Sequence, residues 1–158
     1  MNLLTFWLRT LFLLVIMGLV LVNGEQEANK ADSLYAVAQY VRWPQTEQPL
    51  VFCLIGKEVN LSRLEQVIAG KKIQGRALEA KAISGNPQSH DCAILYSAIE
   101  QAGSGILTVS STKNFAKNGG MVEFLNADGN QFNINRTSAD KANIRFTANI
   151  LKIAKTVY

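Results

Sequence analysis

Three short, continuous apolar runs, Leu50–Gly56, Cys92–Tyr96 and Ile106–Ser110, constrain this chain more than any other feature. A short apolar run without alternation reads as a strand covered on both faces. The segments between the runs carry helical spacing or turn signals. Asp32 and Ser33 can cap a helix predicted to run to Trp43, where Pro44 stops it, with Leu34, Val37, Ala38 and Val41 on its core face. Asn60 or Ser62 opens a second helix with Leu61, Leu64, Val67 and Ile68 on one side, and Gly70 ends it. Arg76–Ile83 alternates as a half-exposed strand does. A short helix is expected around Asn114–Lys117. Asp128-Gly129 then marks a hairpin between Met121–Leu125 and Gln131–Asn135. A polar helical turn near Thr137–Ala142 leads to a last helix predicted over Thr147–Val157. On that helix Ile150, Leu151, Ile153, Ala154, Val157 and Tyr158 fall within less than half the wheel. This order predicts a single α/β domain: a mixed, mostly parallel sheet with helices on both faces and a C-terminal β-hairpin plus helix.

The first residues have a different composition. Arg9 supplies a positive segment, Leu11–Val22 an apolar one, and Gly24, with Val22 two positions before it, a small-residue cleavage site ahead of Glu25, Gln26 and Glu27. That layout predicts a secretory signal peptide over residues 1–24 and a mature domain over residues 25–158. The apolar stretch after Arg9 is shorter than the ~20 residues that span a bilayer. No cysteine lies near residue 24 to carry a lipid.

In an exported chain the two cysteines, Cys53 and Cys92, read as a structural disulfide, because both lie in strand-like runs that can be neighbours. There is no Cys-x-x-Cys spacing and no basic neighbour to activate a thiol. His90 is the only histidine, and His90, Asp91 and Cys92 are too few and too adjacent to enclose zinc. Lys71, Lys72 and Arg76 form the one small basic cluster, without aromatic interleaving, so it reads as a solvated loop and gives no sign of a nucleic-acid partner.

No catalytic constellation, cofactor motif or metal-ligand set is visible. Ser110, Ser111 and Thr112 follow a strand, but read as caps of the next short helix. Gly103-Ser104-Gly105 precedes a strand, whereas a dinucleotide fingerprint follows one. Asp128 and Asp140 have no calcium-loop pattern around them. The residues that stand out are an apolar excess: Tyr40 and Trp43 beside the first helix's core face, and Ile153, Val157 and Tyr158 at the margin of the last helix. Two readings of them are open, closure of the core or contact with a partner protein.

Leu34-Tyr35-Ala36-Val37-Ala38-Gln39-Tyr40-Val41-Arg42-Trp43-Pro44 resembles the opening helix of YfiR-type periplasmic proteins, with its Tyr-x-x-Trp-Pro ending. Val51–Gly56, Ile106–Ser110, Phe115, Gly119-Gly120-Met121-Val122, Gln131–Asn135 and Ile150–Lys155 continue the resemblance in the same order. It implies a periplasmic regulator, not an enzyme. Such proteins bind the periplasmic domain of an inner-membrane diguanylate cyclase and hold it inactive, which lowers cyclic-di-GMP and biofilm formation. An outer-membrane lipoprotein can sequester them, and they tend to form homodimers. The Cys53–Cys92 pair matches one family disulfide. A second pair that some relatives carry near the C-terminal hairpin is missing, so redox control through it is not carried over. The alternative function is a periplasmic small-molecule-binding or sensory module with a cleft at the C-terminal ends of the strands.

Overall fold

The computed structural model describes residues 30–158; the expected signal peptide lies outside them. Helix α1 covers residues 30–39, and the elements that follow are β1 (Leu50–Leu54), α2 (Leu61–Ile68), β2 (Lys72–Ile73), β3 (Arg76–Ala82), a 3-10 turn (Pro87–His90), β4 (Ile94–Tyr96), β5 (Leu107–Ser110), β6 (Val122–Phe124), β7 (Phe132–Ile134), α3 (Arg136–Lys141), α4 (Ala148–Ile153) and β8 (Thr156–Val157). No helix among the described residues is long and apolar enough to cross a membrane.

The strands form one eight-stranded sheet in the order β2-β3-β1-β4-β5-β6-β7-β8. Only the β2/β3 and β6/β7 pairs are antiparallel, so the sheet is mixed and mostly parallel, as the element order implied. The pleat sends alternate residues of each strand to opposite faces. Leu50, Phe52 and Leu54 join Ile94, Val109, Val122 and Ile134 in a large apolar layer with α1, α2 and α4. Val51, Cys53 and Leu95 join Cys92, Ala102 and Ile106 on the other face, where the covering segments are loops. Cys53 and Cys92 are disulfide-bonded across 5.7 Å between Cα atoms, and Cys92 lies just before β4.

Towards β7 the second face turns polar, with Thr108, Ser110, Glu123 and Asn133 all buried. Glu123 explains why the expected helix at Asn114–Lys117 does not form. Its carboxylate accepts the Asn114 N–H at 2.9 Å and the Ala116 N–H at 3.2 Å, and it holds the segment as a turn with Asn114 at φ +64°. Gly120 is required beside it, because a Cβ there would run into the Phe115 ring.

Three other boundaries differ from expectation. Helix α1 is already running at residue 30, and Asp32 pairs with Arg63 of α2 at 3.2 Å where a cap was expected. It ends at residue 39 because the following backbone pairs elsewhere. The Arg42 N–H donates to the Arg145 carbonyl at 2.8 Å, and the Thr147 N–H to the Tyr40 carbonyl at 2.8 Å. The last helix stops at Ile153, not Val157. Ala154 is extended, and the β-branched pair Thr156-Val157 forms β8 beside β7. The α2 boundary is as expected: Asn60 caps it by accepting the Arg63 N–H at 3.0 Å.

Candidate functional site

Where α1, α4 and the β6–β7 hairpin meet, an apolar groove of about 230 Å³ opens, lined by Val37, Tyr40, Phe132, Ile150 and Ile153. Its wall is fixed by a bond from the Ser33 hydroxyl to the Asp128 carbonyl at 2.6 Å, which ties the hairpin turn to α1. Gly129 makes that approach feasible, at φ +68° and with its missing Cβ facing Ser33. Past Ile153 the chain leaves α4 and enters β8. Val157 is in register with Ile134, whose side chain belongs to the helix-covered layer. The groove and β8 therefore adjoin at one end of the sheet.

The five aromatic and aliphatic residues singled out in the sequence divide here. Ile153 is 65 % exposed, Val157 43 % and Tyr158 42 %. Tyr40 is half-buried at the groove. Trp43 is not a surface residue: only 5 % of it is exposed, and its indole N–H donates to the Ala38 carbonyl at 2.8 Å. Of the two readings open for it, Trp43 takes the core one. Val157 and Tyr158 are not on a helix face as their spacing suggested, but on and beside a strand.

Other polar constellations are occupied by the fold itself. At the C-terminal ends of β1, β4 and β5 the Tyr96 phenol donates to Glu58 at 2.7 Å and lies 2.7 Å from the Ser111 hydroxyl. Burial, reinforced by the Glu58 carboxylate, pushes the Tyr96 phenol far above its usual range, so it stays a neutral donor. Ser110 bonds Thr112 at 3.0 Å, closing a local turn. The His90 ring lies 3.3 Å from the Ser84 carbonyl. Among the described residues no group of His, Cys, Asp and Glu could hold a metal ion.

At the opposite ends of the strands an open groove of about 590 Å³ runs past Pro44, Arg76, Glu79, Lys81 and Asp91. Arg76 is not available there to a ligand. Its guanidinium donates to the carbonyls of Gln48 at 2.8 Å, Pro49 at 3.0 Å and Pro44 at 3.2 Å. The remaining charges are of mixed sign.

The DUF4154 family model, described as YfiR/HmsC-like, matches residues 27–155. The chain belongs to the YfiR/HmsC-like family. No curated protein matches it.

In this YfiR/HmsC-like domain the Trp43-Pro44 segment is held by the turn between β2 and β3 and by Arg76, one of the three basic residues expected in a solvated loop. Gln74 sits at φ +51° and Gly75 at φ +82°, the signature of a two-residue hairpin turn between β2 and β3. A glutamine in that conformation is unusual. Its amide accounts for it: the carbonyl oxygen accepts the Trp43 N–H at 3.0 Å and the amino group donates to the Val41 carbonyl at 2.7 Å. Together with Arg76 it clamps the backbone from Val41 to Pro49. The basic cluster thus splits by role. Arg76 is structural, while Lys71 lies 4.5 Å over the Tyr35 ring.

Proposed function

We propose that this YfiR/HmsC-like chain is a periplasmic repressor, exported by residues 1–24 and released as residues 25–158. It binds the periplasmic domain of an inner-membrane diguanylate cyclase and lowers cyclic-di-GMP and, with it, biofilm formation. The observation that carries this reading is the exposed apolar set Ile153, Val157 and Tyr158 beside a groove, on a domain of this family stapled by a disulfide. The role requires no catalytic group. A ligand shifts an equilibrium by its differential affinity for the two states, and moving a cyclase from almost fully on to almost fully off takes a preference of about 10⁴. A rigid fold with fixed apolar anchors supplies such a preference. Sequestration by an outer-membrane lipoprotein would relieve repression by competing for the chain.

The test is a clean deletion with plasmid complementation, read by nucleotide extraction and mass spectrometry. Cyclic-di-GMP should rise in the deletion, fall on complementation, and stay low in a double deletion that also lacks the cyclase. Unchanged nucleotide levels and unchanged surface attachment would defeat the repressor reading.

A further inference from the structure

The exposed apolar residues adjoin an open sheet edge, and the two features together specify a binding mode. Strand β8 ends the sheet and pairs only with β7 among the described residues. An edge strand presents outward backbone N–H and C=O groups that an incoming strand can complete. The other edge, β2, is protected differently. It carries Lys72, follows Lys71 and is closed by the Gln74-Gly75 turn, and its described neighbours include no large exposed apolar side chain.

Charge then selects the occupant. Residues 147–158 contain Lys152 and Lys155 and no acidic residue. Both lysines are exposed, and neither makes an ion pair among the described residues. They bracket Ile153 and precede Val157. A second copy pairing through the same edge would offer these lysines no acidic side chain from its own residues 147–158. An acidic strand would meet the same lysines favourably.

We propose that the β8 edge of this domain receives, by strand addition, an extended segment of a different protein that carries acidic side chains among apolar ones, with an apolar anchor in the groove between α1 and α4. This rests on the repressor reading and names how the cyclase would be held.

The experiment uses the mature chain and the purified periplasmic domain of the cyclase whose output rises in the deletion strain. Binding of the wild-type chain should weaken about tenfold or more between roughly 50 and 500 mM salt. Lys152→Glu/Lys155→Glu should weaken it by at least about tenfold, Lys152→Gln/Lys155→Gln by less, and Lys152→Arg/Lys155→Arg should retain it. Each variant is checked to melt as wild type does. Hydrogen exchange should show the amides of residues 154–158 slowed in the complex, and those of residues 71–75 unchanged.

If wild type binds and represses while charge reversal and salt have no effect, strand addition by an acidic partner is wrong although the repressor reading stands. Unchanged exchange at residues 154–158 in a formed complex would overturn it equally. Charge reversal that alters the chain's own sedimentation would give the edge to a second copy and defeat the proposal. If the deletion raises no cyclase output and the wild-type chain binds no cyclase domain, both readings fall.

Discussion

The two halves of the sheet are secured by different groups and end in different edges. In the half built from β2, β3, β1 and β4, long-range side-chain bonds and a covalent bond fix the backbone: Gln74 and Arg76 clamp residues 41–49, and Cys53–Cys92 joins β1 to the segment before β4. In the half from β5 to β8 no strand matches β1 or β3 in length, each having two to four residues, and their second face is filled by Thr108, Ser110, Glu123 and Asn133. That half ends in β8, whose residues are exposed. The contrast teaches where rigidity and where availability are placed. The clamped half holds its backbone by side-chain and covalent bonds, and the open half leaves a strand edge and apolar side chains exposed, which the proposed function assigns to a partner.

The largest effect should come from the clamped half. Trp43→Ala removes a buried indole and its bond to the Ala38 carbonyl, at an expected cost of about 3–5 kcal/mol. Urea unfolding should show a lower midpoint at unchanged slope. A loss under about 1 kcal/mol would mean that Trp43 is not a core residue and would break the comparison.

Next comes the disulfide. Replacing both Cys53 and Cys92 by Ser should cost roughly 2–4 kcal/mol, with the fold retained by circular dichroism. Non-reducing peptide mapping of the native protein should find Cys53 and Cys92 in one linked peptide pair.

The Gln74 clamp ranks third. Gln74→Ala strips partners from the Trp43 N–H and the Val41 carbonyl, for about 1–3 kcal/mol. Gln74→Gly loses the same bonds but is at ease at positive φ, so it should cost about 1 kcal/mol less than the alanine variant. Equal losses would show that the turn relaxes away from the left-handed region and that the clamp alone sets the stability.

How much of this was readable follows from the same contrast. Strands β1, β4 and β5 were legible because an uninterrupted apolar run has few other uses, and the β6–β7 hairpin because Asp128-Gly129 is a strong local signal. Local signals could not show the Gln74 turn, since its strain is offset only by partners more than thirty residues away. Nor could they show that Trp43 turns back under its own helix. The helix-to-strand change at Ala154 was hidden because Ile150, Ile153, Ala154 and Val157 keep a helical spacing by coincidence. Glu123 was invisible as a buried group, because Val-Glu-Phe reads as ordinary alternation until the turn above it is seen. Of the candidate surface, the residue types were legible, but separating buried Trp43 from exposed Ile153 needed the fold.

The smallest effect on stability should come from the open half. Ile153→Ala and Tyr158→Ala remove side chains that are more solvated than packed, and surface changes of this kind usually stay within about 0.5 kcal/mol. Tyr40→Ala should fall between these and Trp43→Ala, because Tyr40 is half-buried and lines the groove. Function should rank the variants in a different order. Anchors of this kind carry much of the energy of a protein interface, so both exposed variants should bind the cyclase domain more weakly and fail to restore low cyclic-di-GMP in the deletion strain. The informative quantity is the ratio of the two losses. Trp43→Ala loses binding only as far as it loses folded protein, so its defect should recover when the assay is cooled below its melting transition. The Ile153 and Tyr158 defects should persist at every temperature at which the chain is folded. If they instead track the melting temperature, these residues act through the core, and the open half has no separate binding role.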